Sequence, residues 1–242
     1  MIRLLWVTLI GAIATVWVGG RILTAAYTKS RRLKCVCEKA PRDWARMILW
    51  AAGVDVVLEG TEHLDPEAAQ VLVANHVSWF DPLAMVAFLP GSNRFVAKKE
   101  LKTVPIFGRS VAACGHIFID RQDRASAIDA LAGVREQMDR DRPTVVMFPE
   151  GTRSRDGELQ PFKKGAFVLA IQTGADVIPA AIEGSRHVMR KGSWRIRRGP
   201  VRIRIGEPIP VRGYTLARRA ELTDEARRAL LGLQAERRSP ST

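Results

Sequence analysis

The sequence predicts an α/β fold: a largely parallel sheet of about seven strands with helices on both faces, preceded by N-terminal membrane-associated helices. Three observations lead there. From Val54 onward, short apolar runs alternate with segments of helical periodicity. The stretch Leu4–Gly20 carries no charge at all. The chain has 242 residues, 47% of them hydrophobic, which is enough for one sizeable core.

Leu4–Gly20, as a helix rising about 1.5 Å per residue, spans roughly 26 Å, slightly short of a bilayer core of about 30 Å. Trp6 and Trp17 lie near its ends, where interfacial aromatics are expected, and Arg21, Lys29, Arg31, Arg32, Lys34 and Lys39 follow. That basic flank and Gly19-Gly20-Arg21 disfavour a cleaved signal peptide. A single span with its C-terminal side in the cytoplasm fits the charge bias. A membrane-embedded hairpin fits as well, because Pro41-Arg42-Asp43-Trp44 reads as the opening of a second, amphipathic helix bearing Met47, Ile48 and Trp50.

The strands are expected at Val54–Glu59, Gln70–Ala74, Arg94–Ala97, His116–Ile119, Thr144–Phe148, Val177–Ile182 and Val201–Ile205. Between them, helices are expected at Pro82–Leu89, from Pro105-Ile106-Phe107-Gly108, over Ala125–Arg140 and through Phe167–Ala170, with a last, Arg-rich helix from Leu216 to Arg237. Asp81 reads as the N-cap of the first of these, with Pro82 at its first position. The organisation that follows is an anchoring helical segment at 1–53, a catalytic domain at 54–236 and a disordered tail at 237–242.

The net charge of +13 calls for an acidic partner: nucleic acid, an anionic membrane or a phosphorylated substrate. Much of it lies between Arg186 and Arg204, which reads as a face lying on anionic lipid, as a dock for an acidic protein or for phosphates, or as a solvated charged face. Three cysteines, Cys35, Cys37 and Cys114, suggest no disulfide framework and a reducing compartment; Cys35-Val36-Cys37 is too tight for a zinc pair, and no metal is expected.

In sheets of this kind the site lies at the carboxyl ends of the strands. The polar residues that follow strands here are His76, Lys98, Arg121 and Glu150-Gly151-Thr152-Arg153. Asn75-His76-Val77-Ser78-Trp79-Phe80-Asp81 carries the one candidate base. A carboxylate on one ring nitrogen fixes the imidazole tautomer and leaves the other nitrogen free to take a proton. An ordinary helix cap beside an incidental histidine would have the same sequence. His63 is expected in solvated loop, and His116 and His187 in structural or exposed positions.

Four ordered blocks resemble the membrane-bound glycerolipid acyltransferases. They are Asn75-His76 with Asp81; Gly115-His116-Ile117-Phe118-Ile119-Asp120-Arg121; Phe148-Pro149-Glu150-Gly151-Thr152-Arg153-Ser154; and Val177-Ile178-Pro179-Ala180-Ala181-Ile182. The third is the most specific, and the likeness covers about residues 54–210. The resemblance implies transfer of an acyl group from a thioester co-substrate, acyl-CoA or acyl carrier protein, to the sn-2 hydroxyl of lysophosphatidic acid, with no further cofactor. It implies His76 as general base held by Asp81, and Arg121 and Arg153 as phosphate ligands with Lys98 as a further cation. Glu150 would orient Arg153 or meet the glycerol, Gly151 and Thr152 would shape the loop, and Pro179 would set a strand end near the acyl site.

Other readings stay open at this point. Ser78 could complete a Ser-His-Asp triad, although it lacks the glycine-flanked elbow, and Cys114 could act as a nucleophile only if exposed. The acceptor could be another lysolipid, such as a lyso-ornithine lipid, or glycerol 3-phosphate itself. Outside enzymes, a catalytically silent membrane lipid-binding protein is the alternative. Nucleic-acid binding is set aside because it explains neither the apolar N-terminus nor the Glu-Gly-Thr-Arg block. The location implied is the cell membrane, at the cytoplasmic face of the inner membrane if the chain is bacterial.

Overall fold

The computed structural model describes residues 1–120 and 124–235, and the side chains of these except 124–132. Arg121 and the tail 237–242 lie outside the described residues. In chain order the regular elements are α1 (Ile2–Tyr27), α2 (Leu33–Ala52), β1 (Val54–Glu59), β2 (Gln70–Ala74), α3 (Phe80–Phe88), β3 (Asn93–Lys98), α4 (Phe107–Ala113), β4 (Ile117–Ile119), α5 (Arg124–Asp141), β5 (Thr144–Met147), α6 (Gly165–Thr173), β6 (Asp176–Glu183), α7 (Ser185–Val188), β7 (Gly199–Ile205) and α8 (Arg219–Ala235).

Among the described residues the strands form one seven-stranded sheet in the order β1-β7-β6-β2-β5-β3-β4. β6, β2, β5, β3 and β4 run parallel. β7 joins β6 antiparallel and carries β1 beside it in its own direction, so one edge of the sheet is reversed. The five parallel strands therefore end on one side, where their following loops gather.

The two-residue period of the strands divides the core. Leu72 and Ala74 join Val146, Ile178 and Ala180 under α2 and α3, while Val71 and Val73 join Val145, Met147 and Val177 against α6 and α8. Each fully buried valine, leucine or isoleucine among them contributes about 1.5–3 kcal/mol of transfer free energy. Both faces of the sheet are thus covered by helices, which is why its central strands read as continuous apolar runs.

α2 begins at Leu33, and Pro41 lies inside it rather than at its start. Packing against α1 carries the helix through the proline: Val18, Ile22 and Ala40 share one apolar cluster, and Trp44 donates its indole N–H to Thr15 Oγ1 at 2.9 Å. The expectation of no disulfide is overturned as well. Cys37 of α2 and Cys114 just after α4 are bonded, 77 residues apart, and Cys35 is free and exposed. Helix packing brings this pair together, which cysteine spacing could not reveal.

The opposite face of α1 presents Ile2, Leu5, Trp6, Leu9, Ile13, Val16 and Trp17 to the outside, a stripe at helical spacing. Trp50 of α2 extends it, 6.3 Å from Trp6 ring to ring. Among the described residues α1 is the helix long and apolar enough to cross a membrane.

Candidate active site

The site begins where β2 stops. Asn75 closes the strand by pairing with the backbone of Ile182 in both directions: its Nδ2 donates to Ile182 O at 2.9 Å, and its Oδ1 accepts the Ile182 N–H at 2.7 Å. The start of the following loop is thereby tied to β6. His76 follows, 9% exposed, with its ring stacked on Phe148 of the adjacent loop at 4.3 Å.

α3 starts at Phe80, one residue before Asp81, so Asp81 is not the N-cap and Pro82 is not its first residue. The Asp81 carboxylate turns back into the loop instead. Its Oδ2 accepts Nδ1–H of His76 at 2.8 Å, and the backbone N–H groups of Val77 and Ser78 at 2.7 Å each. Asp81 is fully buried. With Nδ1 donating to the carboxylate, Nε2 keeps its lone pair and is the nitrogen able to take a proton. The arrangement can therefore perform general-base chemistry.

Glu150 does not orient Arg153. One of its oxygens accepts the backbone N–H of His76 at 2.5 Å, and the other that of Gln160 at 3.0 Å. Burial pushes its carboxyl up to about 7, against the pull of these two N–H groups and with help from the nearby Asp81 and Asp156. Gly151 follows at φ 71°, where a Cβ would stand 2.7 Å from Cε of Lys163. The turn closes with the Gly151 N–H on the Phe148 carbonyl at 3.0 Å. Ser154 then returns its N–H to the His76 carbonyl at 2.7 Å.

Arg153 sits between these bonds. Its guanidinium lies 4.5 Å over the Trp79 ring, half-buried, and burial draws its pKa down while Asp81 opposes the shift. Thr152 is exposed. Lys98, at the end of β3, is half-exposed and pairs with Glu100 at 2.8 Å. Lys99 pairs with Asp120. His76, Asp81, Glu150, Gly151, Thr152 and Arg153 thus form one connected group, and Lys98 stands outside its hydrogen bonds.

Three further residues belong to the site by geometry. Asn75 and Ser154 lie inside recognised blocks, but nothing in their type assigns them a bond. Lys191, from the segment after α7, donates to Arg153 O at 2.7 Å and Thr152 Oγ1 at 3.0 Å. No sequence signal separates it from the other basic residues around it.

The nucleophile alternatives meet physical obstacles. Ser78 is fully buried, and its Oγ donates to Met189 O at 2.7 Å. Cys114 is bonded to Cys37. Of the other histidines, His187 is exposed and two are engaged elsewhere. His116 accepts the Phe95 N–H on Nδ1 at 3.0 Å, and burial beside Arg94 pushes its pKa down to about 4. His63 is half-buried with Nδ1 at 2.9 Å from Ile205 O, not solvated. Pro179 lies within β6, not at its end; its carbonyl accepts the Gly206 N–H at 2.8 Å. Among the described residues, no group of three or more His, Cys, Asp or Glu side chains is gathered to hold a metal.

The chain is similar to known proteins. The family profile described as Acyltransferase matches residues 55–183. The 1-acyl-sn-glycerol-3-phosphate acyltransferase of Limnanthes douglasii is 34% identical over 170 residues, 70% of this chain and 60% of that one. The human 1-acyl-sn-glycerol-3-phosphate acyltransferase alpha is 33% identical over 184 residues, 76% of this chain and 65% of its own length. The match thus spans less than two thirds of either relative. The crystal structure of the 1-acyl-sn-glycerophosphate (LPA) acyltransferase, PlsC, from Thermotoga maritima superposes with a TM-score of 0.84 at 26% identity, covering 100% of this chain and 97% of that one.

Proposed function

Because this chain belongs to the acyltransferase family, we propose that it transfers an acyl group from a thioester to the sn-2 hydroxyl of 1-acyl-sn-glycerol 3-phosphate, giving phosphatidic acid. The observation that carries the reading is the buried contact of His76 Nδ1 with Asp81 Oδ2 at 2.8 Å. Nε2 takes the hydroxyl proton as the oxygen attacks the thioester carbonyl. Asp81 stabilises the imidazolium that forms. The C–S bond breaks, and the proton passes from Nε2 to the departing thiolate. A positioned base of this kind is worth about 10²–10⁴ in rate. The burial of Ser78 and the bonding of Cys114 favour direct attack over an acyl-enzyme.

The backbone N–H groups of Val77 and Ser78 are taken by Asp81, and that of Gly151 by Phe148. They hold the loops rather than a developing oxyanion. Arg153 is the cation for the acceptor's phosphate, with Arg121 and Lys98 as further candidates; a guanidinium offers phosphate a planar fork. The donor is acyl-CoA or an acyl carrier protein, and the thioester is the only co-substrate the chemistry needs. The apolar stripe on α1, prolonged by Trp50, supports attachment to a membrane through residues 1–53.

Purified protein offered a panel of lysolipid acceptors, with acyl-CoA or acyl carrier protein as donor, tests the reading. Phosphatidic acid is the expected product, and Arg153→Ala is expected to raise KM for lysophosphatidic acid far more than KM for the thioester. A preference for an acceptor without phosphate, or equal effects of the variant on both substrates, sinks the assignment.

A further inference from the structure

We propose that Lys191 is a positioning residue for the acceptor's phosphate: it clasps the loop that carries Arg153 and brings an unpaired positive charge to it. The inference rests on the acyl-transfer reading above and extends it to a residue outside the four blocks.

Lys191 reaches the site by two independent attachments. Its backbone neighbourhood is pinned to the loop of His76. There Ser78 Oγ donates to Met189 O at 2.7 Å, Ser78 and Arg190 form an antiparallel bridge, and Val188 is fully buried in the core. Its side chain crosses to the other loop, donating to Arg153 O at 2.7 Å and to Thr152 Oγ1 at 3.0 Å. One residue thus ties together the two segments that hold the base and the phosphate cation.

Holding a carbonyl and a hydroxyl requires only a neutral donor, yet the residue here is an ammonium. Lys191 is half-buried, and no carboxylate pairs with it among the described residues. Its two acceptors, a hydroxyl and a carbonyl, are neutral, so neither balances its charge. An ammonium has three N–H donors, and two are accounted for; the third is available to an anionic oxygen. Arg153 is held at its head group as well, its guanidinium lying over the Trp79 ring. Lys191 fixes the backbone of Arg153 while Trp79 fixes its head group, which reduces the entropy lost when phosphate is bound.

Lys191→Met keeps the apolar stem and removes the charge and the donors. It is expected to raise KM for lysophosphatidic acid about tenfold, the equivalent of one charge-assisted hydrogen bond. The kcat and the thioester KM should stay within about twofold, about a third of that free energy. Lys191→Arg should recover most of the loss. An unchanged acceptor KM in Lys191→Met overturns the proposal. So does a fall in kcat or a rise in thioester KM of the same size, or failure of Lys191→Arg to rescue, because each describes a merely structural lysine. Arg153→Ala, measured beside it, separates the two levels. If it raises the acceptor KM and Lys191→Met does not, only the role of Lys191 falls; if neither does, the phosphate reading falls with it.

Discussion

The carboxylate of Glu150 accepts the backbone N–H of His76 at 2.5 Å, across 74 residues of sequence. The loop after β5 is thereby fastened to the backbone of His76 itself, and Ser154 returns a second bond to the same residue, 2.7 Å to the His76 carbonyl. Moving either loop moves the imidazole.

Burial of the Glu150 carboxyl, which outweighs the pull of its two N–H partners, predicts a pH dependence of stability. The folded-state pKa of Glu150, about 7, lies above its ordinary 4.5, so the protonated form stabilises the fold. The contribution is full below about 4.5 and is lost as pH rises to about 7; a shift of this size corresponds to about 3 kcal/mol. Urea unfolding of wild type and Glu150→Gln at pH 4.5, 6 and 8 should show the wild type losing stability relative to the variant as pH rises. A constant difference between the two proteins would refute the assignment.

Asp81→Asn, with its amide oxygen in place of Oδ2, still accepts from His76 Nδ1–H and from the N–H groups of Val77 and Ser78, but it removes the negative charge. The imidazolium formed as His76 takes a proton then loses its carboxylate partner. A fall in kcat of about 10²–10⁴ is expected, with little change in either KM. Steady-state kinetics, with circular dichroism to verify the fold, measure it.

Trp79→Ala removes the ring beneath the Arg153 guanidinium without removing the charge. At about 0.5–1 kcal/mol for a partly exposed cation–π contact, KM for a phosphate-bearing acceptor should rise about two- to fivefold. An acceptor KM identical to wild type would show that the stacking does not orient Arg153.

Asn75→Ala leaves the buried N–H and C=O of Ile182 without their side-chain partner. Each unsatisfied group costs about 1–3 kcal/mol, so a loss of at least 2 kcal/mol is expected in denaturant unfolding, with a fall in kcat as the His76 loop loosens. Stability within about 0.5 kcal/mol of wild type, the range of an ordinary surface substitution, would contradict the role.

Much of the architecture was legible because it is written locally. β1 and β2 occur as read, since their apolar runs need only the two-residue period and a bounding turn. The other elements shifted at their ends, where caps and tertiary contacts decide: α3 begins a residue before Asp81, and α2 runs through Pro41 because α1 lies against it.

For the site, the chain by itself determined the residue types and their order; it allowed His76 and Asp81 to meet, being five residues apart, but an ordinary helix cap fitted the same stretch, and their contact is a finding of the tertiary structure. The tertiary structure alone decided the reversal of β7 and β1, the bond between Cys37 and Cys114, the attachment of Glu150 to the His76 backbone, and the reach of Lys191 to Thr152 and Arg153. Each joins groups between 38 and 77 residues apart, or sets one strand against another. Local periodicity carries no information about such partners; they meet only after both faces of the sheet have packed.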